Sequence, residues 1–91
     1  MSDLIWDKGN RGHAKKHRVS DEEIEQVFRR VYHVEAQEIA ENDEQEFHAY
    51  GTTAKGRYLT VPFNIRQNRI RPITAWPMTP KELTDYAKEI Y

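Results

Sequence analysis

Apolar positions recur along this chain with two different periods. Ile24, Val27, Phe28 and Val31 fall at i, i+3, i+4 and i+7, which predicts a helix over residues 20–32 with one buried stripe. Ser20 and Glu23 have the spacing of a capping box, in which each side chain satisfies an orphan backbone donor, and Val19 and Ile24 flank it as a hydrophobic staple. The same logic predicts a last helix over residues 79–90. Thr79 caps it, Pro80 takes the first helical position, Glu82 closes the box, Met78 staples to Leu83, and Leu83, Tyr86, Ala87 and Ile90 form the buried side. Between the helices the period becomes two. Residues 57–65 put Leu59, Val61, Phe63 and Ile65 on one face, with further strands over 46–52 and 69–76 and a weaker one over 33–39. Pro62 and Pro72 cannot donate to a ladder, so each must face an edge or a bulge. The sum is an α+β domain spanning residues 1–91: N-terminal helices, an antiparallel sheet of three to four strands, and a C-terminal helix.

Register decides where the arginines go. With Gln67-Asn68 as a two-residue hairpin turn, Arg66 faces Arg69, Ile65 faces Ile70 and Asn64 faces Arg71. One face then carries Leu59, Val61, Phe63, Ile65, Ile70 and Trp76, and the other carries Asn64, Arg66, Arg69 and Arg71. A slip of one residue would mix the two sets, so the apolar face selects this pairing. Like charges opposite one another are unfavourable. Three clustered guanidinium groups therefore call for an anionic partner, or for neutralisation by Glu35, Glu38, Glu44 or Glu46.

Composition narrows the classes. Leu, Ile, Val and Phe make up about a fifth of the 91 residues, enough for a small core only. A net charge of −1 argues against charge-driven disorder. The absence of cysteine excludes disulfides, thiolate zinc sites and a cysteine nucleophile. The longest apolar run is Leu4-Ile5-Trp6, far short of a membrane span, and no targeting or lipidation pattern is present, so a soluble cytoplasmic domain is expected. The near-neutral total hides basic ends around an acidic middle: +3 over residues 1–20, −8 over 21–47 and +4 over 48–91. Such blocks can fold into a cationic face suited to a polyanion, or can simply be solvated surface.

Residues 7–17 read as a less regular helix, capped by Asp7 and weakened by Gly9 and Gly12. On a helix, Asn10, His13 and His17 share one face, with Lys15 and Lys16 beside it. The two histidines admit three readings. They can be polar neighbours of the core. They can be metal ligands at i, i+4, although the intervening Ala-Lys-Lys lacks a carboxylate and repels a cation. They can also be proton-transfer or phosphate-contacting groups.

Taken together, these segments resemble the BrnT-type toxin family of bacterial toxin–antitoxin systems, small proteins with a RelE-like ribonuclease fold. The likeness runs through Trp6-Asp7, Asn10-x-x-His13-x-x-x-His17-x-Val19 and the acidic helix, then Gly51-Thr52-Thr53 and Gly56-Arg57-x-Leu59-x-Val61. It ends with Ile70-Arg71-Pro72-Ile73-Thr74-Ala75, Met78-Thr79-Pro80-Lys81-Glu82 and Tyr86. One departure stands out: many relatives carry an arginine where this chain has Trp76. An arginine there would contact phosphate; Trp76 can stack on a base or fill the core on the Leu59 face.

The resemblance implies metal-independent endoribonuclease activity with no cofactor, and a cognate antitoxin with a DNA-binding domain in a hetero-oligomer. For such cleavage, the chemistry of the side chains points to His13, His17, Arg57 and Arg71 as catalytic, the histidines for proton transfer or phosphate contact and the arginines for charge stabilisation. Asn10, Lys15, Lys16, Arg66, Arg69 and Trp76 are the expected RNA contacts. The alternative is a non-catalytic module of the same fold that serves a repressor complex, favoured by Trp76 and by the thin core.

Overall fold

The capping box that opens the first helix forms as the spacing requires. Ser20 Oγ accepts from the Glu23 N–H at 3.1 Å and the Glu23 carboxylate accepts from the Ser20 N–H at 3.1 Å. The computed structural model describes residues 3–39 and 41–90. Within them, a short 3-10 helix (His13–His17) precedes α1 (Asp21–Arg29), β1 (His33–Ala36), β2 (Phe47–Thr52), β3 (Tyr58–Arg66), β4 (Arg69–Pro72), β5 (Trp76–Pro77) and α2 (Pro80–Ile90). The strands pair antiparallel in the order β1-β2-β3-β4, and β5 joins β3 beyond the end of β4.

The hairpin register is the expected one: Arg66 opposite Arg69, Ile65 opposite Ile70, Asn64 opposite Arg71. Gln67 and Asn68 both have positive φ, 54° and 61°, as a type I′ turn demands. Pro62 lies where β4 has ended and β5 has not begun. Its carbonyl accepts from the Ile73 N–H at 2.8 Å, and its missing donor falls in that gap. The predicted strand over 69–76 is thereby split in two. Pro72 sits on the outer edge, where its carbonyl accepts from Asn10 Nδ2 at 2.7 Å.

The main core lies on one face of the sheet, where Leu4, Ala14, Val19, Ile24 and Val27 pack against Ala49, Leu59, Val61 and Phe63. On the other face Tyr50, Met78 and Tyr86 form a smaller cluster beneath α2. β3 is consequently buried on both faces from Leu59 to Asn64.

Several expectations need correcting. α1 ends at Arg29 because Arg30 is already extended toward β1, so Val31 leaves the apolar stripe and is 90% exposed. Ile65, expected on the apolar face, is 47% exposed near the end of β3. In α2 only Tyr86 is buried, while Leu83 and Ile90 remain largely exposed because the helix rests on the sheet by its Tyr86 side. Trp76 pairs with Thr60, not Leu59, so strand alternation puts it on the face opposite Leu59. It does not fill the main core.

Residues 7–17 are not a continuous helix. Asp7 and Asn10 instead close a turn, with Asn10 Oδ1 accepting from the Asp7 N–H at 2.8 Å and the Asp7 carbonyl accepting from the Arg11 N–H at 2.9 Å. Gly12 then adopts φ 70°, a left-handed conformation that glycine takes without penalty, and the 3-10 turn follows. Gly9 serves a different need: a Cβ there would lie 2.9 Å from Arg71 Nη2. The two glycines that weaken a helix are what this turn requires.

Candidate active site

The candidate residues gather on the sheet face opposite α1. Strand parity puts His33 and Glu35 of β1, His48 and Tyr50 of β2, Thr60, Pro62, Asn64 and Arg66 of β3, Arg69 and Arg71 of β4, and Trp76 of β5 on that side. α2 covers one end of it. At that end Trp76 Nε1 donates to the Glu82 carboxylate at 3.0 Å, and the same carboxylate accepts from the Thr79 N–H at 2.9 Å.

The 3-10 turn brings His17 onto this face. Its ring meets Trp76 edge-on at 6.2 Å between centroids. His48 approaches the same indole at 5.8 Å with its ring nearly perpendicular. His48 was not among the residues singled out from sequence. The signal was available in strand alternation, since His48 and Tyr50 interleave with the core residues Phe47 and Ala49. Burial, followed by the charges of Glu35, Glu82 and Asp85, pushes the Tyr50 hydroxyl up to about 12, so it stays protonated at neutral pH.

Arg71 lies beside Asn64 on the same face, its side chain 15% exposed. Asp7 holds its fork: Nε to Oδ2 at 3.0 Å and Nη2 to Oδ1 at 2.8 Å. That pairing lowers the Asp7 carboxyl below its ordinary value, opposed by partial desolvation and assisted by the Gly9 N–H and the Arg71 charge. It correspondingly raises Arg71. Nη1 stays outside the pair.

The remaining expected residues divide. Lys15, Lys16 and His13 are exposed on the 3-10 turn, with Lys16 Nζ 3.4 Å from His13 Nε2. Asn10, read from sequence as an RNA contact, is 3% exposed and its Nδ2 donates to the carbonyls of Ile5 and Pro72. It latches the N-terminal segment to β4. Arg57 points toward α1, where Nη1 meets Glu23 at 2.6 Å and the Arg18 carbonyl at 3.0 Å. Arg66 is paired with Glu44, which also accepts from Asn64, and Arg69 binds the carbonyls of Asp3 and Leu4. The guanidinium cluster is thus neutralised largely from within. Arg57 and Arg66 also flank β3 at opposite ends, roughly 30 Å apart at the usual rise of a strand, too far for one cleft.

Glu23 repeats the pattern of Asp7. Burial pushes its carboxyl up, but hydrogen bonds from Ser20 and Arg57 and the Arg57 charge outweigh it, so the net value is lowered. A carboxylate depressed in the folded state adds stability that is present above its unfolded value and lost as pH falls. Stability measured by urea unfolding is therefore expected to decline below the ordinary values of 4.5 for Glu23 and 3.8 for Asp7. The decline should be shallower in Asp7→Asn; an unchanged acid limb in that variant would remove Asp7 from the account.

A family model described as ribonuclease toxin, BrnT, of type II toxin–antitoxin systems matches residues 6–82. The chain belongs to this BrnT family. The match spans the N-terminal turn, the whole sheet and the start of α2, so His13, His17, His48, Arg57, Arg71 and Trp76 all lie within it. Membership makes the protein a ribonuclease toxin of a toxin–antitoxin system, with a cognate antitoxin as partner. No curated protein matches the chain. Among the described residues of this BrnT domain, no helix is long and apolar enough to cross a membrane, and no three His, Asp or Glu side chains are grouped to hold a metal ion.

Proposed function

We propose that this BrnT-family protein cleaves RNA in the cytoplasm without a metal ion, by attack of a ribose 2′-hydroxyl on the adjacent phosphate. The observation that carries the reading is the His17 ring against Trp76 on the sheet face that also bears Arg71. His17 takes up the 2′-hydroxyl proton, and Arg71 opposes the charge that develops on the phosphorane. Trp76 offers a stacking surface for a base. Lys15, Lys16 and His13 draw the RNA backbone toward this face. Asn10, Arg57, Arg66 and Arg69 support the fold through their internal partners, whereas Arg71 keeps Nη1 outside its pair with Asp7. A cognate antitoxin with a DNA-binding domain neutralises the toxin in a hetero-oligomer.

The test is to incubate purified, antitoxin-free protein with RNA in EDTA. Cleavage leaving 2′,3′-cyclic phosphate and 5′-hydroxyl ends is the expected result. Intact RNA, or cleavage that EDTA abolishes, overturns the reading.

A further inference from the structure

Two imidazoles, from different elements, address one indole. His17 comes from the 3-10 turn and His48 from β2, and both meet Trp76 edge-on, at 6.2 Å with an interplanar angle of 76° and at 5.8 Å with 88°. The Trp76–Glu82 hydrogen bond fixes the indole that both rings meet. Metal-free cleavage by a 2′-hydroxyl needs a proton removed at one end of the phosphodiester and one supplied at the other. One histidine accounts for half of that requirement.

We propose that His48 is the second proton-transfer group of the site, donating to the leaving 5′-oxygen while His17 accepts from the 2′-hydroxyl. This rests on the ribonuclease reading above. In the step, the 2′-oxygen forms a bond to phosphorus as His17 takes its proton. The bond from phosphorus to the 5′-oxygen breaks, and that oxygen takes the proton from His48. The products are a 2′,3′-cyclic phosphate and a 5′-hydroxyl, with one proton moved to His17 and one lost from His48.

The surroundings support this division of roles. Tyr50 Oη lies 3.5 Å from His48 Nδ1 and can accept from it, leaving Nε2–H as the transferable proton. Glu46 lies 3.6 Å from Nε2, on the same side. Glu35 faces His48 across the β1–β2 ladder, and Glu82 of α2 reaches the other side of the site through Trp76. Pro62, opposite on β3, adds no charge. Carboxylates thus attend the proposed donor, whereas Lys16 and Arg18 flank His17, the proposed acceptor. The His48 side chain is 16% exposed, so it is held by its neighbours but reached from solvent.

A leaving-group comparison tests the proposal. His48→Gln is assayed on a dinucleotide and on the same nucleoside 3′-phosphate esterified to 4-nitrophenol, whose anion departs without protonation. The expected loss is roughly 10²–10⁴-fold on the dinucleotide. On the activated ester it should be far smaller. His17→Gln should lose on both. Equal losses of His48→Gln on the two substrates would make His48 merely structural, and a dinucleotide rate close to wild type would remove it from the site; either overturns the proposal. If the wild-type protein cuts neither substrate nor RNA, the ribonuclease reading itself fails and the proposal with it.

Discussion

Replacing His17 with Ala is expected to lower RNA cleavage by roughly 10²–10⁴-fold, the usual contribution of one positioned proton-transfer group. The fold should survive. His17 is exposed and its ring meets Trp76 edge-on, so the change should shift stability by about 0.5 kcal/mol or less. Those two expectations separate chemistry from collapse. Induced expression of the variant should leave cells growing where the wild type arrests them, with equal soluble protein and an unchanged urea midpoint. A well-expressed variant as toxic as wild type would take His17 out of the mechanism.

The second large effect falls on stability. Asn10→Ala should destabilise the domain by about 2–4 kcal/mol, because Asn10 is buried and its side chain serves three backbone groups at once. It accepts from the Asp7 N–H and donates to the carbonyls of Ile5 and Pro72, all of which would lose their partner. Asn10→Asp should also destabilise, since it keeps the acceptor and loses both donors. The same loss frees the turn that carries His17, so cleavage should fall along with the unfolding midpoint. Urea unfolding decides it: a cost under 1 kcal/mol for the alanine variant would mean that the latch is not what holds this segment.

These two residues also mark where sequence patterns inform and where they mislead. Both capping boxes, the hairpin register and the type I′ turn were legible because each depends on residues a few positions apart, whose spacing states the geometry directly. The latch made by Asn10 was not legible because its partners, Ile5 and Pro72, are set by tertiary folding, and a polar residue beside a glycine on an expected helix looks like surface. Trp76 was misplaced by counting alternation straight through residues 73–75, where the chain leaves the ladder opposite Pro62. The guanidinium cluster was foreseen, and Glu44 was among its named neutralisers. Asp7 was not, because it lies 64 residues from Arg71 along the chain. His48 escaped notice for a related reason: in a single strand it is one polar residue among apolar neighbours, and only the pairing of β3 with β5 brings Trp76 beside it.

The sheet's margins are unlike each other. The outer side of β4 is taken up by the N-terminal segment, through the Ile5 N–H on the Ile70 carbonyl and Asn10 on Pro72, and β5 lies against the 3-10 turn. β1 leaves a strand margin unpaired, with the Val34 and Ala36 peptides directed away from β2. Two copies joined β1 to β1 about a twofold axis would use up both of these margins.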